Sequence, residues 1–155
     1  MVTLSTAELK AYVLELYDKM RPALEKDGIS KDITVKFTDE IAKLWPCDFC
    51  YSDGEFYHYG SVGDFGDITS EKYDDLFELT YRIFRCQIEI ITIERKSKIK
   101  GKPQDSRRIA FPKQIELMRL IGEEYAERLE RELNKILEEY PYSDEPVIIQ
   151  DGEQE

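Results

Sequence analysis

The last third of the chain carries one long apolar stripe, and this stripe constrains the fold more than any other feature. It comprises Met118, Ile121, Tyr125, Leu129, Leu133, Ile136 and Tyr140. Their three- and four-residue steps place them on one face of an α-helix, and that face has to be buried against other elements. Pro112 suits the first helical position, because its missing backbone donor has no intrahelical partner there. The segment is therefore predicted to be helical from Pro112 onward, with Gly122 interrupting the stripe.

A second amphipathic helix is predicted near the beginning of the chain. Ser5 and Glu8 have the spacing of a capping box, in which each side chain accepts a hydrogen bond from the backbone of the other residue. The apolar positions that follow are Leu9, Tyr12, Val13, Leu16, Tyr17, Met20 and Leu24. Gly28 marks the end of this helix. A single apolar stripe indicates a helix that packs on one side only.

The middle of the chain favours strands. Asp53-Gly54 is a tight-turn dipeptide flanked by aromatic strand formers, so residues 49–62 are predicted to form a β-hairpin. Residues 67–69 add a third short strand, after which Thr69 or Ser70 is expected to cap the next helix. Residues 33–37 alternate apolar with polar and fit a short strand, while a brief helix from Thr38 to Trp45 is the alternative. We expect a small antiparallel sheet of two or three strands.

Helical spacing returns from Tyr73 onward. The stripe consists of Leu76, Phe77, Thr80, Ile83, Phe84, Gln87, Ile88 and Ile91. The β-branched run from Ile88 to Ile93 favours a strand locally, but the spacing of the whole segment predicts a helix. Gly101 and Pro103 indicate that the basic segment from Lys98 to Gln104 is an exposed, mobile loop.

These elements predict an α+β fold, a bundle of four to six helices with the small sheet. At 155 residues the chain is long enough to bury a core without metal or disulfides. We expect one domain over residues 1–144 and a flexible acidic tail over residues 145–155, which contains four acids and no base.

The charge distribution bears on possible partners. The net charge is −11, and residues 48–78 hold nine acids against Lys72 alone. Nucleic-acid binders need basic surface to displace counterions from phosphates, so we expect no direct nucleic-acid binding. By contrast, residues 95–108 hold seven bases against Asp105. A basic protein is the partner that the acidic segment favours.

The cysteines and the N-terminus indicate the compartment. Three cysteines, an odd number, fit a reducing environment better than a disulfide framework. No apolar run approaches membrane-spanning length, and no signal peptide is visible. We expect a cytoplasmic protein with no membrane partner.

Two chemical alternatives depend on few residues. Cys47 and Cys50 form a Cys-x-x-Cys motif, which occurs in thiol-redox and zinc sites, but only Cys86 and His58 could complete a metal site. His58 is the only histidine, and no nucleophile elbow, phosphate-binding loop or metalloprotease motif is present. We therefore expect no cofactor, no metal and no enzymatic activity. A helical protein-protein adaptor is a further alternative.

Two arginines and two acids bracket the C-terminal helical segment. Arg107 and Arg108 stand at its start beside Asp105, and Asp144 follows its end. A planar guanidinium binds a carboxylate with two parallel hydrogen bonds, so an arginine could tie the start of the segment to either acid. One interpretation is an internal clamp, and the other is that an arginine faces a partner. Both hold if one arginine turns inward and the other outward.

Residues 57–144 resemble the family-63 immunity proteins of bacterial polymorphic toxin systems. The similarity is carried by Tyr57-His58-Tyr59, by Asp75-Leu76 with Tyr81 and Phe84, by residues 125–128, and by residues 136–144. Its signature positions are Asp105, Arg107, Arg108, Phe111, Gln114, Arg128, Pro141 and Asp144. The resemblance implies two helices, about Pro112–Leu120 and Glu123–Glu139. It also implies a protein that binds and neutralises a cognate toxin without catalysis.

The acidic middle segment is the expected partner-binding surface. The residues assigned to it are Asp53, Glu55, Tyr57, Tyr59, Asp64, Asp67, Asp74 and Asp75. The acids would attract a basic face on the toxin, and Tyr57 and Tyr59 would serve as aromatic anchors. A basic nuclease domain is the kind of toxin that this charge suggests.

Overall fold

The computed structural model describes residues 4–96 and 105–144. The chain divides into two compact units, Met1–Gln87 and Ile88–Glu155. The described residues form four α-helices, one short 3-10 helix and a four-stranded sheet, which confirms the α+β class. The basic loop expected over residues 98–104 and the acidic tail expected over residues 145–155 lie outside the described residues.

Helix α1 (Thr6–Lys26) belongs to the first unit and begins at the predicted capping box. The Glu8 backbone N–H donates to the Ser5 hydroxyl at 3.2 Å, and the Ser5 N–H donates to the Glu8 carboxylate at 3.0 Å. Its buried face consists of Leu9, Val13, Leu16, Tyr17, Met20 and Leu24. This face lies toward the sheet, since α1 contacts the first two strands.

The sheet contains β1 (Lys36–Phe37), β2 (Cys47–Ser52), β3 (Tyr57–Val62) and β4 (Ile68–Tyr73), in that spatial order. The β2–β3 and β3–β4 pairs are antiparallel, but β1 runs parallel to β2. The expectation of a purely antiparallel sheet of two or three strands was therefore wrong. Two neighbouring strands can run parallel only if the chain returns to the end of the sheet at which the first strand began. The segment between β1 and β2, which includes the 3-10 helix Ile41–Lys43, makes this return.

The predicted hairpin is confirmed as β2 and β3, joined by a turn in which Gly54 has a φ of +91°. Gly60 in β3 is required for a different reason. A Cβ at Gly60 would lie 2.0 Å from the Thr69 carbonyl oxygen of β4 and 2.9 Å from the Phe49 ring of β2. Only glycine allows the backbones and this ring to approach so closely.

Helix α2 (Leu76–Lys96) confirms the prediction of helix through the β-branched run. Its start was predicted wrongly, because Thr69 and Ser70 lie in β4. The cap is Asp75, whose carboxylate accepts from the backbone N–H groups of Phe77 at 2.7 Å and Glu78 at 3.2 Å. Asp is a strong N-cap residue, and its negative charge also suits the helix N-terminus.

The second unit contains α3 (Arg107–Ile121) and α4 (Glu123–Glu139), with Gly122 between them. Pro112 lies inside α3 rather than at its start, so the predicted N-terminus was five residues late. A Cβ at Gly122 would lie 2.8 Å from the Tyr125 ring, which explains glycine at this bend. The two helices pack side by side and bury Leu117, Met118, Ile121, Tyr125, Leu129 and Leu133.

Among residues 4–96 and 105–144, no helix combines the length and apolar character that a membrane span requires.

Candidate functional site

The start of α3 is tied to the segment after α4 by an arginine clamp, which we define as Asp105, Arg107, Arg108 and Asp144. The Arg107 guanidinium forms a fork with the Asp105 carboxylate, with Nη2 to Oδ2 at 2.6 Å and Nε to Oδ1 at 3.0 Å. The same guanidinium donates to the carbonyl oxygens of Tyr140 at 2.8 Å and Pro141 at 2.9 Å. Arg107 thus satisfies backbone acceptors that the end of α4 leaves without helical donors.

Arg108 and Asp144 form the second half of the clamp. Arg108 Nε donates to both oxygens of Asp144, at 2.8 and 3.0 Å. Asp144 also accepts from the Asp105 backbone N–H at 3.1 Å, and Asp105 accepts from the Ser143 N–H at 3.0 Å. The side-chain hydrogen bonds from Arg107 and Arg108 hold the pKa values of Asp105 and Asp144 below their usual range.

Aromatic rings complete the clamp. The Arg108 guanidinium carbon lies 4.3 Å from the centre of the Tyr142 ring, and the Arg107 guanidinium carbon lies 5.5 Å from it. Phe111 is a further neighbour of Arg107, at 5.9 Å. These are cation–π distances, so both arginines are held by a ring as well as by a carboxylate.

The remaining signature residues also lie within the second unit. Gln114 is buried in α3 and donates to the Thr92 hydroxyl of α2 at 3.0 Å. Arg128 lies on α4 with Nε 3.5 Å from Glu132. Pro141 takes part through its carbonyl oxygen. The clamp residues and Pro141 therefore connect the start of α3 to the end of α4, and Gln114 connects α3 to α2.

The residues expected to form one acidic surface lie at two opposite ends of the sheet. Asp53 and Glu55 occupy the β2–β3 turn, and Asp74 and Asp75 follow β4 at that same end. Asp64 and Asp67 occupy the β3–β4 loop at the other end. A six-residue strand separates the two groups, which corresponds to roughly 17 Å.

Two acids at the β2–β3 turn end have local structural roles. Asp53 accepts from the backbone N–H groups of Glu55 at 2.8 Å and Phe56 at 2.7 Å, and its Oδ2 lies 2.6 Å from His58 Nε2. These hydrogen bonds, led by the one from Phe56, lower the pKa of Asp53 to about 2. Asp75 caps α2, as described above. Their carboxylates are engaged in holding a turn and a helix end.

Tyr57 and Tyr59 were wrongly assigned as exposed anchors. They are only 1% and 4% exposed. The Tyr57 hydroxyl accepts from the Leu4 backbone N–H at 3.3 Å, and the Tyr59 ring lies 5.4 Å from the Arg82 guanidinium. The strand-forming residues of β3 were readable from the sequence, but the burial of Tyr57, His58 and Tyr59 depended on the packing of the rest of the first unit.

The opposite end of the sheet carries a surface that sequence reasoning found only in part. We call it the sheet tip and define it as Trp45, Asp64, Phe65, Asp67 and Ile68. Phe65 is 99% exposed and Trp45 is 86% exposed. Asp64 and Asp67 were predicted, whereas the apolar members were not. The sequence did contain a signal, because Phe65 stands between an aspartate and a glycine in a turn. Residues at such a position are rarely buried.

A polar cleft of about 170 Å³ lies on the sheet next to this tip. Asp48, Ser61 and Thr69 pair across β2, β3 and β4 and line it, together with Arg82 of α2. Burial raises the pKa of Asp48, although a hydrogen bond from Tyr59 and the charge of Arg82 oppose the shift. The cleft therefore holds carboxylate, hydroxyl, thiol and guanidinium groups, and Arg82 Nη1 donates to the Cys86 sulfur at 2.6 Å.

The geometry of β2 argues against a paired site at Cys47 and Cys50. Residues three apart on a strand point to opposite faces, and their Cα atoms lie about 10 Å apart. A disulfide needs a Cα separation below about 7 Å. Burial also raises the pKa of the Cys50 thiol to about 12, which suppresses the thiolate. Among the described residues, no cluster of three or more His, Cys, Asp or Glu has a metal-binding arrangement.

Comparison with known proteins assigns the chain to a family. The family model described as Immunity protein 63 matches residues 53–135, a range that runs from the β2–β3 turn into α4. Searches of curated proteins and of solved structures each found no match. Because the family match spans more than half of the chain, this protein belongs to the Immunity protein 63 family.

Proposed function

We propose that this protein binds a cognate bacterial toxin domain in the cytoplasm and neutralises it by covering its working surface, without catalysis. The observation that carries the proposal is the family match over residues 53–135. An immunity protein needs only a surface complementary to its toxin, and exposed acidic loops supply one.

Charge supports a basic partner, such as a nuclease domain. Residues 48–78 contain nine acids and one base, and Asp64, Asp67 and Asp74 are exposed. Opposite charges accelerate encounter between two proteins and suppress pairing with acidic competitors. A toxin that acts on nucleic acid has to present basic surface, and covering that surface would also exclude its substrate.

Inhibition by binding alone agrees with the state of the only histidine. His58 is buried, its Nε2 contacts Asp53, and its ring stacks on Tyr51 at 4.5 Å with an interplanar angle of 11°. A general base has to reach a reacting group. His58 instead supports the hairpin, and the clamp carboxylates are likewise engaged by arginines.

The test begins by searching the genes beside this one for a toxin gene, and it uses the toxin domain that such a gene encodes. We expect wild-type protein to rescue cells that express the toxin and to bind a catalytically inactive toxin domain in a purified assay. Reversing Asp64, Asp67 and Asp74 to lysine should slow association and weaken its dependence on salt.

A matched control reverses three exposed acids of α4, Glu127, Glu130 and Glu138, and so makes the same change in net charge. It should slow association less than the sheet variant does. If wild-type protein neither binds the toxin nor protects cells, the proposed function is wrong. If both variants slow association equally, the association rate depends on the net charge of the protein and not on the position of the acids.

A further inference from the structure

We propose that the toxin is contacted by the sheet tip, with Phe65 and Trp45 as apolar anchors and Asp64 and Asp67 as the charged rim. The partner surface that fits is an apolar pocket bordered by lysine or arginine. The inference rests on the proposed function and assigns it to one end of the sheet.

Exposure is the first argument. Phe65 and Trp45 have 99% and 86% of their surface open to solvent, and Ile68 has 52%. These side chains contribute almost nothing to the core, so the fold does not account for their apolar character. Apolar residues gathered at one exposed site are typical of protein-interaction surfaces, and aromatic residues often dominate binding energy there.

The topology brings these residues together. Ile68 pairs with Val62 at the end of the β3–β4 ladder, and Val62 pairs with Cys47 at the start of β2. Trp45 precedes Cys47 by two residues, and Phe65 lies in the loop that joins Val62 to Ile68. Trp45, Phe65 and Ile68 therefore lie at the same end of the sheet, where β2 begins, β3 ends and β4 begins.

The loop that carries Phe65 is held by its own backbone. The Gly63 N–H donates to the Asp67 carbonyl at 2.8 Å, and the Gly66 N–H donates to the Gly63 carbonyl at 3.0 Å. Gly66 has a φ of +80°, which a residue with a side chain rarely adopts. A closed loop presents Phe65 with little conformational entropy left to lose, and this lowers the cost of binding.

Charge selects the kind of partner. Asp64 and Asp67 flank Phe65, and within the described residues neither carboxylate has a hydrogen-bond or ion-pair partner. An apolar centre with a polar rim is the usual arrangement of an interface. A rim of two free carboxylates matches a basic rim on the toxin and gives the contact its register.

The β2–β3 turn end lacks this combination. The Asp53 carboxylate holds the turn, and the Asp75 carboxylate caps α2. Phe56 lies in this turn and is half-buried, and the Lys72 ammonium lies over its ring, 5.5 Å from the ring centre. That end offers charge without an apolar anchor.

The experiment measures binding of the inactive toxin domain to Phe65→Ala and Trp45→Ala proteins by titration calorimetry. Tyr140→Ala is the matched control, because Tyr140 is an aromatic residue 67% exposed on the other unit. We expect each tip variant to raise Kd about tenfold or more, as for interface anchors, and the control to leave Kd within about twofold. All three side chains are exposed, so thermal unfolding should match wild type.

The outcomes separate this inference from the proposed function. If wild-type protein binds the toxin but both tip variants bind equally well, the tip inference is wrong and the immunity function stands. A photo-crosslinker at position 65 provides a second measurement, since it should label the toxin in the complex. Labelling of a second copy of this chain, with an unchanged toxin Kd, would instead identify the tip as a self-association surface and overturn the proposal.

Discussion

The arginine clamp and the sheet tip are both charged, aromatic surface sites, yet they use these groups in opposite ways. In the clamp, every carboxylate oxygen of Asp105 and Asp144 accepts a hydrogen bond, and Tyr142 packs on the guanidinium groups. In the sheet tip, Asp64 and Phe65 face solvent. Groups engaged within the chain stabilise it, whereas groups left exposed on a formed loop are available to a partner.

The largest difference between the two regions should appear in stability. Leu129 lies fully buried in α4, in the unit that carries the clamp. Leu129→Ala should lower the free energy of unfolding by about 2–5 kcal/mol, because it removes packing and leaves a cavity. Phe65→Ala should change the same quantity by less than about 0.5 kcal/mol. Urea denaturation of both variants checks the contrast, and a destabilised Phe65→Ala protein would contradict it.

The clamp itself should be the next most sensitive site. Arg107→Lys should destabilise the protein, because an ammonium group cannot reproduce the fork to Asp105 together with donation to the Tyr140 and Pro141 carbonyls. Thermal unfolding measures the effect, and Arg131→Lys on the exposed face of α4 is the control. Toxin Kd should stay unchanged. A clamp variant that keeps its stability but loses toxin binding would move the recognition surface to the clamp.

Asp53 tests whether the β2–β3 turn end behaves like the clamp. Its pKa is lowered from 3.8 to about 2 in the folded protein, so the charged carboxylate stabilises the fold above pH 3.8, and this contribution disappears as the pH falls toward 2. Asp53→Asn should therefore be less stable than wild type at pH 6, and the difference should shrink below pH 4. Urea titrations across this range measure it. A difference that does not change with pH would mean that the carboxylate charge has no structural role.

The smallest effect is expected at the cysteine pair. Cys47→Ser should leave both stability and toxin binding close to wild type, because Cys47 and Cys50 point to opposite faces of β2. Metal analysis and thiol titration of the reduced wild-type protein accompany the binding assay. Bound zinc, or loss of toxin neutralisation by the Cys47→Ser protein, would support the alternative that this is a thiol-redox or zinc-binding protein.

Local sequence patterns predicted most of the elements because their causes are local. The capping box of α1, the Asp53-Gly54 turn and the apolar spacing of α2 and α4 depend on residues a few positions apart. The misplaced boundaries have equally physical causes. Thr69 and Ser70 do not cap α2, because both residues lie in β4. Asp75 caps this helix instead. The start of α3 moved ahead of Pro112 because Asp105 and the clamp support that first turn.

The parallel pairing of β1 and the separation of the acids were beyond local reasoning. The alternation of residues 33–37 fitted a short strand, and β1 forms at Lys36–Phe37 within that range, but its parallel pairing with β2 depends on residues distant in sequence. Likewise, nothing in the spacing of Asp53 and Asp64 shows that a whole strand places them at opposite ends of the sheet. Tyr57 and Phe65 are both aromatic residues next to an acid or a turn, and only packing buries the first and exposes the second.

The sequence by itself determined the α+β class, the acidic character that favours a basic partner, and the motif residues that resemble the family. These follow from composition, periodicity and residue chemistry, which do not depend on distant contacts. The tertiary structure decided which charges are engaged. Asp105 and Asp144 are 39 residues apart in sequence but are in contact at the arginine clamp. Asp64 and Phe65 are exposed to solvent. The reason is that the path of the chain determines which distant groups come within contact distance.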